Sequence, residues 1–362
     1  MSRGSPTSLK SPFKSPPESL CLLRLSAIGD CCHVLPLLRT IQRAWPATKI
    51  TWVIGRTEHM LMEGMQGVEF ITFDKNRGWR GLMDVRRQLA GREFPVLLNL
   101  HASMRANLVS AVIPARRRIG YDRARARDYQ WLFTNERIPA IERQHVCDGM
   151  LGFARHLGID TQDLRWDIPV NADDHDFAAQ LTQHSGPVCV ISPCSSQRAR
   201  NFRNWSKNNY IAVVRYLQER YGAKVILTGA NTELENDYAA AICATGGEIE
   251  NRVGKTTLKQ LVALFAAADV VIAPDSGPVH MATATGTAVI GLYATSNPGR
   301  TGPYRDPLGL TVNRYPDAVR EEFGVSVEDV RWGQRVRNPD AMSLITVADV
   351  TASLDRLLAA NA

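Results

Sequence analysis

Residues 20–36 have the sequence LCLLRLSAIGDCCHVLP, and its pattern predicts how the chain begins to fold. The apolar run from Leu20 to Leu25 predicts a short buried strand, and the residues from Ser26 to Asp30 predict a tight turn that contains a glycine. Apolar residues at helical spacing then predict a helix from Cys31 to Ala44. This order of strand, turn and helix predicts the first unit of a parallel sheet that is covered by helices.

The same alternation continues along the chain and restarts after Pro169. Further strands are predicted at residues 50–54, 69–73, 96–100, 188–191, 224–228 and 270–273, and further helices at residues 208–221, 256–267 and 347–360. The sequence therefore predicts an α/β fold with two domains. We place a disordered Ser/Pro-rich tail at residues 1–19, the first domain at 20–170, a linker at 171–186, the second domain at 187–340 and a closing segment at 341–362.

The composition excludes several classes of protein. With 362 residues, of which 44% are hydrophobic and 22% charged, the chain is neither wholly disordered nor collagenous. No apolar run approaches the roughly 18 to 20 residues that a membrane span needs, and the N-terminus does not resemble a secretory signal. Seven cysteines without CxxC or Cys/His ligand spacing favour reduced thiols in a cytosol.

The formal net charge of +7 is unevenly distributed along the chain. Residues 1–170 contain 25 Lys/Arg against 16 Asp/Glu, a charge of +9, and residues 171–362 contain 18 against 20, a charge of −2. The basic surplus therefore belongs to the first domain, where it favours an anionic partner.

Polar residues that directly follow predicted strands are the candidates for chemistry, because ligands of open parallel sheets bind at the carboxyl ends of strands. Asp30 follows the first strand and could act as a general base. It could equally cap the next helix, since aspartate is a favoured capping residue. Asp275, Ser276 and Gly277, with His280 one turn further, follow the strand at 270–273 and could hold a phosphate at a helix N-terminus. The alternative is a capped helix with an interior histidine.

Two further strand ends fit the same interpretation. Ser195 follows the strand at 188–191 and is succeeded by Arg198, Arg200 and Arg203, whose guanidinium groups suit phosphate. The alternative is a solvated basic loop. Glu233 follows the strand at 224–228 and could accept hydrogen bonds from ribose hydroxyls, or it could be a surface glutamate.

The common motifs of nucleotide-binding, zinc and hydrolase sites are absent from the sequence. There is no GxGxxG after the first strand, no GxxxxGK[ST], no HExxH and no GxSxG. The six arginines between Arg116 and Arg127 could contact nucleic acid, an acidic glycolipid or only solvent. The stretch has one interleaved aromatic residue, Tyr121, and no recognised binding motif, which argues against contact with nucleic acid. We therefore expect no nucleic-acid partner.

Two ordered motifs resemble those of the ADP-heptose:lipopolysaccharide heptosyltransferases, glycosyltransferase family 9. Residues 25–36, LSAIGDCCHVLP, resemble the SxxGD motif of that family and its following LP, although Ala27 stands where many members have serine. Residues 275–282, DSGPVHMA, with residues 293–300, YATSNPGR, resemble its DTGxxHxAA block and the YGPTDP motif beyond. The similarity extends from about Leu20 to about Asp306.

The resemblance implies a GT-B fold, in which two Rossmann-like domains face each other across a cleft and the last helix crosses back to the first domain. It implies inverting transfer of heptose from ADP-heptose to the lipopolysaccharide inner core, with Kdo-lipid A as the simplest acceptor and Asp30 as the general base. It implies no metal ion and no other cofactor. The donor residues that it suggests are Ser195, Arg203, Glu233, Thr256, Asp275, Ser276, Gly277 and His280.

On the acceptor side, the resemblance suggests His145, and the basic first domain adds Arg80 and Arg123. We therefore expect a cytoplasmic enzyme, peripheral to the inner membrane, that binds an anionic glycolipid at the inner face. The sequence does not specify an oligomeric state. The alternatives are a family member with another acceptor or another nucleotide-sugar donor, and a nucleotide-binding protein without catalytic activity.

Overall fold

The computed structural model describes residues 13–196 and 201–359, and the chain divides into two units after Pro169. Unit 1 contains, in chain order, β1 (Ser19–Leu23), α1 (Ile28–Ala44), β2 (Lys49–Gly55), α2 (Arg56–Met62), β3 (Val68–Phe73), α3 (Trp79–Gln88), β4 (Phe94–Asn99), α4 (Met104–Val112), β5 (Ala115–Gly120), β6 (Glu136–Arg137) and α5 (Val146–His156). Unit 2 contains α6 (Ala172–Thr182), β7 (Val188–Ile191), α7 (Lys207–Tyr221), β8 (Lys224–Leu227), α8 (Glu233–Cys243), β9 (Ile249–Asn251), α9 (Leu258–Ala266), β10 (Val270–Pro274), α10 (Gly277–Thr285), β11 (Ala288–Tyr293), α11 (Pro298–Thr301), β12 (Val312–Asn313), α12 (Tyr315–Phe323) and α13 (Val347–Leu358).

Each unit is built on one parallel sheet of six described strands. The order in unit 1 is β3-β2-β1-β4-β5-β6, and in unit 2 it is β12-β11-β10-β7-β8-β9. Both are the 3-2-1-4-5-6 order of Rossmann domains, so the predicted fold class is confirmed. The direction of strand addition reverses between β1 and β4 in unit 1 and between β7 and β10 in unit 2. In such sheets ligands bind at the carboxyl ends of the strands, at the point of this reversal.

The central strands are almost entirely apolar, as expected of a parallel sheet that is covered by helices on both faces. Residues 20–23 of β1 and residues 188–191 of β7 are buried. In unit 2 the core also takes in Trp205, Tyr210 and Tyr315. This explains why these strands were predictable as continuous apolar runs.

Strand β5 was missed because three consecutive arginines, Arg116 to Arg118, hide it. These guanidinium groups form ion pairs with glutamates or donate hydrogen bonds to carbonyl groups, so the cationic side chains do not prevent pairing with β4. The predicted linker at 171–186 also differs from the structure. It contains helix α6, which Asn171 caps and whose Ala178 and Leu181 are buried, and α6 packs on α9 within unit 2.

The two ends of the chain also differ from their predictions. Residues 1–12 of the predicted tail lie outside the described residues, but Ser19 begins β1, Pro17 accepts a hydrogen bond from Thr48 Oγ1 at 2.7 Å, and the Phe13 ring packs on Trp45. Helix α13, expected to pack on the first domain, instead has its apolar face in the core of unit 2, against α7. The buried residues Val350 and Leu354 are four positions apart, so they lie on one face of the helix, and this face packs against α7.

None of the described helices has the length and apolarity that would let it cross a membrane.

Candidate active site

Asp30 lies at the carboxyl edge of the unit 1 sheet, in the first turn of α1. Its Oδ2 accepts a hydrogen bond from the Ala27 N–H at 3.3 Å, so the side chain does cap the helix. About a third of the side chain (35%) is exposed, and an acidic group in this turn is stabilised by the helix dipole. The capping interpretation and the general-base interpretation are therefore compatible, because one carboxylate oxygen can cap while the group remains accessible.

Arg24 holds the Asp30 carboxylate in place. Its Nη2 lies 2.5 Å from Asp30 Oδ2, and its Nη1 donates to the Leu100 carbonyl at 2.7 Å. Burial alone would lower the pKa of Arg24, but the Asp30 carboxylate raises it above its ordinary value, so the guanidinium stays charged. The contact ties the loop after β1 to the loop after β4, which are the two sides of the strand reversal in unit 1.

His101 lies on the same edge, just after β4. Its Nδ1 accepts a hydrogen bond from the Leu25 N–H at 3.3 Å, so in the neutral ring the proton is on Nε2. Burial, with a further contribution from Arg24, lowers the pKa of His101 to about 3, so the ring is neutral at physiological pH. A neutral hydrogen-bond donor is thus placed beside the Arg24–Asp30 pair.

The predicted acceptor residues occupy three separate places in unit 1. His145 caps α5, where its Nδ1 accepts from the Cys147 N–H at 3.1 Å, and its ring meets the ring of His33 on α1 edge to face at 5.3 Å. His145 is therefore next to the helix that carries Asp30. Arg123 is exposed in the loop after β5, and Arg80 is exposed at the start of α3.

The arginine cluster at 116–127 divides into structural and exposed members. Arg117 pairs with Glu136 at 2.6 Å, Arg116 with Glu93 at 2.8 Å, and Arg125 with Asp122. Arg118 donates to backbone carbonyl groups. In the described part of the chain Arg123 and Arg127 have no ion pair, so they are the members of the cluster that can meet an anionic ligand.

Asp275 is the centre of the corresponding arrangement in unit 2. It follows β10 directly, its side chain is 7% exposed, and its Oδ2 accepts from Ser296 Oγ at 2.6 Å. Arg203 Nη1 lies 3.2 Å from the same oxygen and donates to the Asp275 carbonyl at 2.7 Å. The structure thus brings together Arg203 and Asp275, which are 72 residues apart in the sequence.

The first turn of α10 lies beside this pair. Ser276 occupies the N-cap position without a capping hydrogen bond from its side chain, and its Oγ is buried without a partner among the described residues. Gly277 begins the helix, and His280 is buried one turn further. The N–H groups of a first helical turn have no partner within the helix and carry partial positive charge, so this turn can bind an anion.

Ser195 belongs to a hydrogen-bonded network that leads to Arg203. Its Oγ accepts from Asn201 Nδ2 at 2.8 Å and donates to Asn204 Oδ1 at 2.9 Å, and Asn201 Oδ1 accepts from Arg203 Nε at 2.5 Å. Ser195 is therefore placed to fix the loop that carries Arg203. The predicted cations Arg198 and Arg200 lie outside the described residues.

Glu233 is the first residue of α8, at the end of the loop after β8, and Thr256 lies on the neighbouring loop after β9. The Gly254 N–H donates to the Gly229 carbonyl at 2.9 Å, which joins the two loops. Glu233 is exposed at the start of α8, whereas Glu235 is buried and accepts from the Ala230 N–H at 2.9 Å. The exposed glutamate can meet a ligand, and the buried one closes the loop.

Within residues 13–196 and 201–359, no group of three or more His, Cys, Asp or Glu side chains is placed to hold a metal ion. The expectation that the reaction needs no cofactor stays a prediction.

Sequence reasoning overlooked three polar residues of these arrangements: Arg24, His101 and Ser296. Arg24 carries a usable signal, because a cation inside an apolar strand run has to be paired. His101 directly follows a predicted strand, which is the same signal that identified Asp30. Ser296 reaches Asp275 from 21 residues away, and no sequence pattern indicates that contact.

Comparison with known proteins identifies a family. The sequence model of glycosyltransferase family 9 (heptosyltransferase) matches residues 82–323. The chain is 37% identical over 346 residues to the lipopolysaccharide core heptosyltransferase OpsX of Haemophilus influenzae, across 95% of this chain and 98% of OpsX. It is 22% identical over 322 residues to lipopolysaccharide heptosyltransferase 1 of Escherichia coli, across 83% and 98%.

Solved structures have the same fold. A glycosyl transferase family 9 protein of Veillonella parvula superposes with a TM-score of 0.77 at 20% identity, across 95% of this chain and 98% of that chain. The E. coli heptosyltransferase WaaC with ADP gives 0.72 at 18% identity, across 93% and 99%.

Proposed function

Because the chain belongs to glycosyltransferase family 9, the heptosyltransferases, we propose that it transfers heptose from ADP-heptose to the lipopolysaccharide inner core. The simplest acceptor is Kdo-lipid A. The name of OpsX supports the lipopolysaccharide core as acceptor, and solved structures of WaaC with ADP and with ADP-2-deoxy-2-fluoro heptose support an ADP-linked donor.

The proposal rests on the residues that lie at the two strand reversals. In unit 1 the reversal holds an accessible carboxylate, Asp30, that Arg24 keeps in position. In unit 2 it holds a helix N-terminus beside Arg203. The first arrangement suits proton abstraction from a hydroxyl group, and the second suits a diphosphate.

The reaction is a single displacement at the anomeric carbon of the heptose. The Asp30 carboxylate accepts the proton of the acceptor hydroxyl as the oxygen of that group forms a bond to the anomeric carbon. The bond from this carbon to the diphosphate oxygen breaks, and its electron pair leaves with ADP. Attack from the face opposite the leaving group inverts the configuration of the anomeric carbon.

Unit 2 stabilises the charge that develops on the departing ADP. The N–H groups at the start of α10 and the guanidinium of Arg203 are fixed before the reaction, so they need no reorganisation when the charge appears. Glu233 and Thr256, on the joined loops after β8 and β9, bind the ribose and the adenine.

Unit 1 binds the acceptor. Its surplus of positive charge attracts the phosphates and carboxylates of a glycolipid at the inner face of the inner membrane. Arg123 and Arg80 are exposed and can contact these groups. His145 lies against His33 on the helix of Asp30, where it can orient the acceptor hydroxyl.

The test mixes the purified protein with ADP-heptose and Kdo-lipid A at low salt, and measures ADP release together with extension of the glycolipid by mass spectrometry. ADP-glucose and GDP-mannose serve as control donors, and heptosyl-Kdo-lipid A serves as an alternative acceptor. We expect stoichiometric ADP and a product that is one heptose heavier only with ADP-heptose and Kdo-lipid A. If neither product forms, the proposal is wrong. If the protein instead turns over another donor or acceptor, that compound takes the place of ADP-heptose or Kdo-lipid A as its substrate.

A further inference from the structure

The segment RWGQRV, residues 331–336, gave no functional signal in the sequence and lies outside the residues that the family model matches. In the structure it runs along the carboxyl end of β11. The Val336 N–H donates to the Thr295 carbonyl at 3.1 Å, and the Gln334 carbonyl accepts from Tyr315 Oη at 2.9 Å. The backbone on both sides of Arg335 is therefore held by the core of unit 2.

Tight packing at Trp332 fixes the start of the same segment. A Cβ atom at Gly299 would lie 3.0 Å from Cη2 of Trp332, which is tighter than nine in ten such contacts, so the indole lies close against the glycine backbone. Gly299 belongs to α11, which follows the YATSN stretch (residues 293–297) that begins at the last residue of β11. RWGQRV is thus built into the edge of the sheet that carries Asp275.

Arg335 reaches the carboxylate that Arg203 already neutralises. Its Nη1 lies 3.5 Å from Asp275 Oδ2, the oxygen to which Arg203 Nη1 is 3.2 Å distant. Two guanidinium groups thus meet one carboxylate, and the three side chains together have a formal charge of +1. Asp275 is 7% exposed and Arg203 15%, whereas Arg335 is 38% exposed.

The excess charge has no protein partner in the described chain. Among residues 13–196 and 201–359 the guanidinium of Arg335 has no hydrogen bond or ion pair other than its long contact with Asp275. Removing part of the hydration of a cation that has no counterion of its own costs free energy, and a bound anion would offset that cost. Its planar fork of donors matches the geometry of a phosphate group.

We propose that Arg335 is a second cation of the donor site, which binds the diphosphate of a nucleoside diphosphate together with Arg203. This inference depends on the proposed function, since it assigns Arg335 to the same donor. Asp275 orients both guanidinium groups, and their combined charge offsets the negative charge that the diphosphate brings and that increases as the sugar leaves.

The experiment measures ADP affinity by isothermal titration calorimetry for the wild-type chain and for Arg335→Gln, Arg335→Lys and the control Arg331→Gln. Arg331 is an exposed arginine of the same segment, and within residues 13–196 and 201–359 its side chain donates one hydrogen bond, to Gln334 Oε1. We expect Arg335→Gln to bind ADP about 10- to 100-fold more weakly, as the loss of a charge-assisted contact implies. Arg335→Lys should recover part of the affinity, and Arg331→Gln should bind as the wild-type chain does.

Melting temperatures without ligand separate binding from structure. If Arg335 only stabilises Asp275, Arg335→Gln melts earlier while its ADP affinity matches that of Arg331→Gln, and the proposal is overturned. Unchanged ADP affinity in a fully stable Arg335→Gln overturns it as well. If the wild-type chain itself does not bind ADP, the proposed function fails together with this inference, whereas the first two outcomes leave the proposed function intact.

Discussion

The Nη2 atom of Arg24 lies 2.5 Å from Oδ2 of Asp30, across the turn that joins β1 to α1. Arg24 is buried directly after the apolar strand β1, and its second terminal nitrogen donates to the Leu100 carbonyl. The ion pair therefore gives the carboxylate a fixed direction and a neighbouring positive charge. Both properties suit a base that has to be ionised when the acceptor arrives.

Replacing Asp30 by Asn separates the two roles of this side chain. Asparagine keeps an oxygen that can accept from the Ala27 N–H, but it cannot accept a proton. We expect kcat to fall about 10²- to 10⁴-fold while ADP affinity is retained. Steady-state kinetics and calorimetry with ADP measure the two quantities. Loss of ADP binding as well would point to a structural role for Asp30.

Removing the positive charge of Arg24 changes the pH dependence of the reaction. A cation beside a carboxylate favours its charged form, so in Arg24→Gln the base should be protonated at higher pH. We expect the acid limb of the kcat/KM profile to move to higher pH, and Arg24→Lys to leave it closer to that of the wild-type chain. If the acid limb is the same in all three proteins, Arg24 does not influence the ionisation of Asp30.

His101 makes the folded chain sensitive to acid. Its pKa is lowered to about 3, first by burial and then by Arg24, with Asp30 opposing and Arg105 adding to the effect. The unfolded chain binds this proton near pH 6.5, so the free energy of unfolding decreases as the pH falls from about 6.5 towards 3. We expect urea unfolding of His101→Gln to depend less on pH between 7 and 5 than that of the wild-type chain. An exposed histidine, His175, provides the control variant His175→Gln, which should behave as the wild-type chain does.

The two neighbouring glutamates of α8 should respond differently to substitution. Glu233→Gln removes an exposed carboxylate that we assign to the ribose, so KM for ADP-heptose should rise about 3- to 10-fold without loss of stability. Glu235→Ala leaves the Ala230 N–H and the Thr232 hydroxyl without their acceptor, and should lower the free energy of unfolding by about 1–3 kcal/mol. A KM that Glu233→Gln leaves unchanged would argue against the ribose contact.

Helix α13 should contribute to the stability of unit 2 through its buried face. Leu354 is fully buried in the core of that unit, so Leu354→Ala should lower the free energy of unfolding by about 2–5 kcal/mol. Arg356 on the exposed side provides the control Arg356→Ala, which should change this quantity by less than about 0.5 kcal/mol. If the two variants unfold at the same urea concentration, the buried side chain of Leu354 does not stabilise unit 2 more than the exposed side chain of Arg356 does.

Most of the fold could be predicted because buried parallel strands are continuous apolar runs. Residues 188–191 were predicted with the bounds that the structure gives to β7. Strand β5 and helix α6 were missed for opposite reasons. The arginines of β5 conceal a strand because their guanidinium groups find carboxylate and carbonyl partners only after folding. The polar surface of α6 conceals a helix whose buried apolar residues are Ala178 and Leu181.

Local order along the chain is enough to predict the family, the alternation of strands and helices, and the polar residues at strand ends. Which of those residues meet depends on the three-dimensional packing. Arg24 finds Asp30 and the Leu100 carbonyl, and Arg203 and Arg335 converge on Asp275, since the strand reversals bring distant loops to one edge of each sheet. Such contacts depend on which strands are neighbours, and strand order is fixed by packing of the whole unit, not by any local pattern.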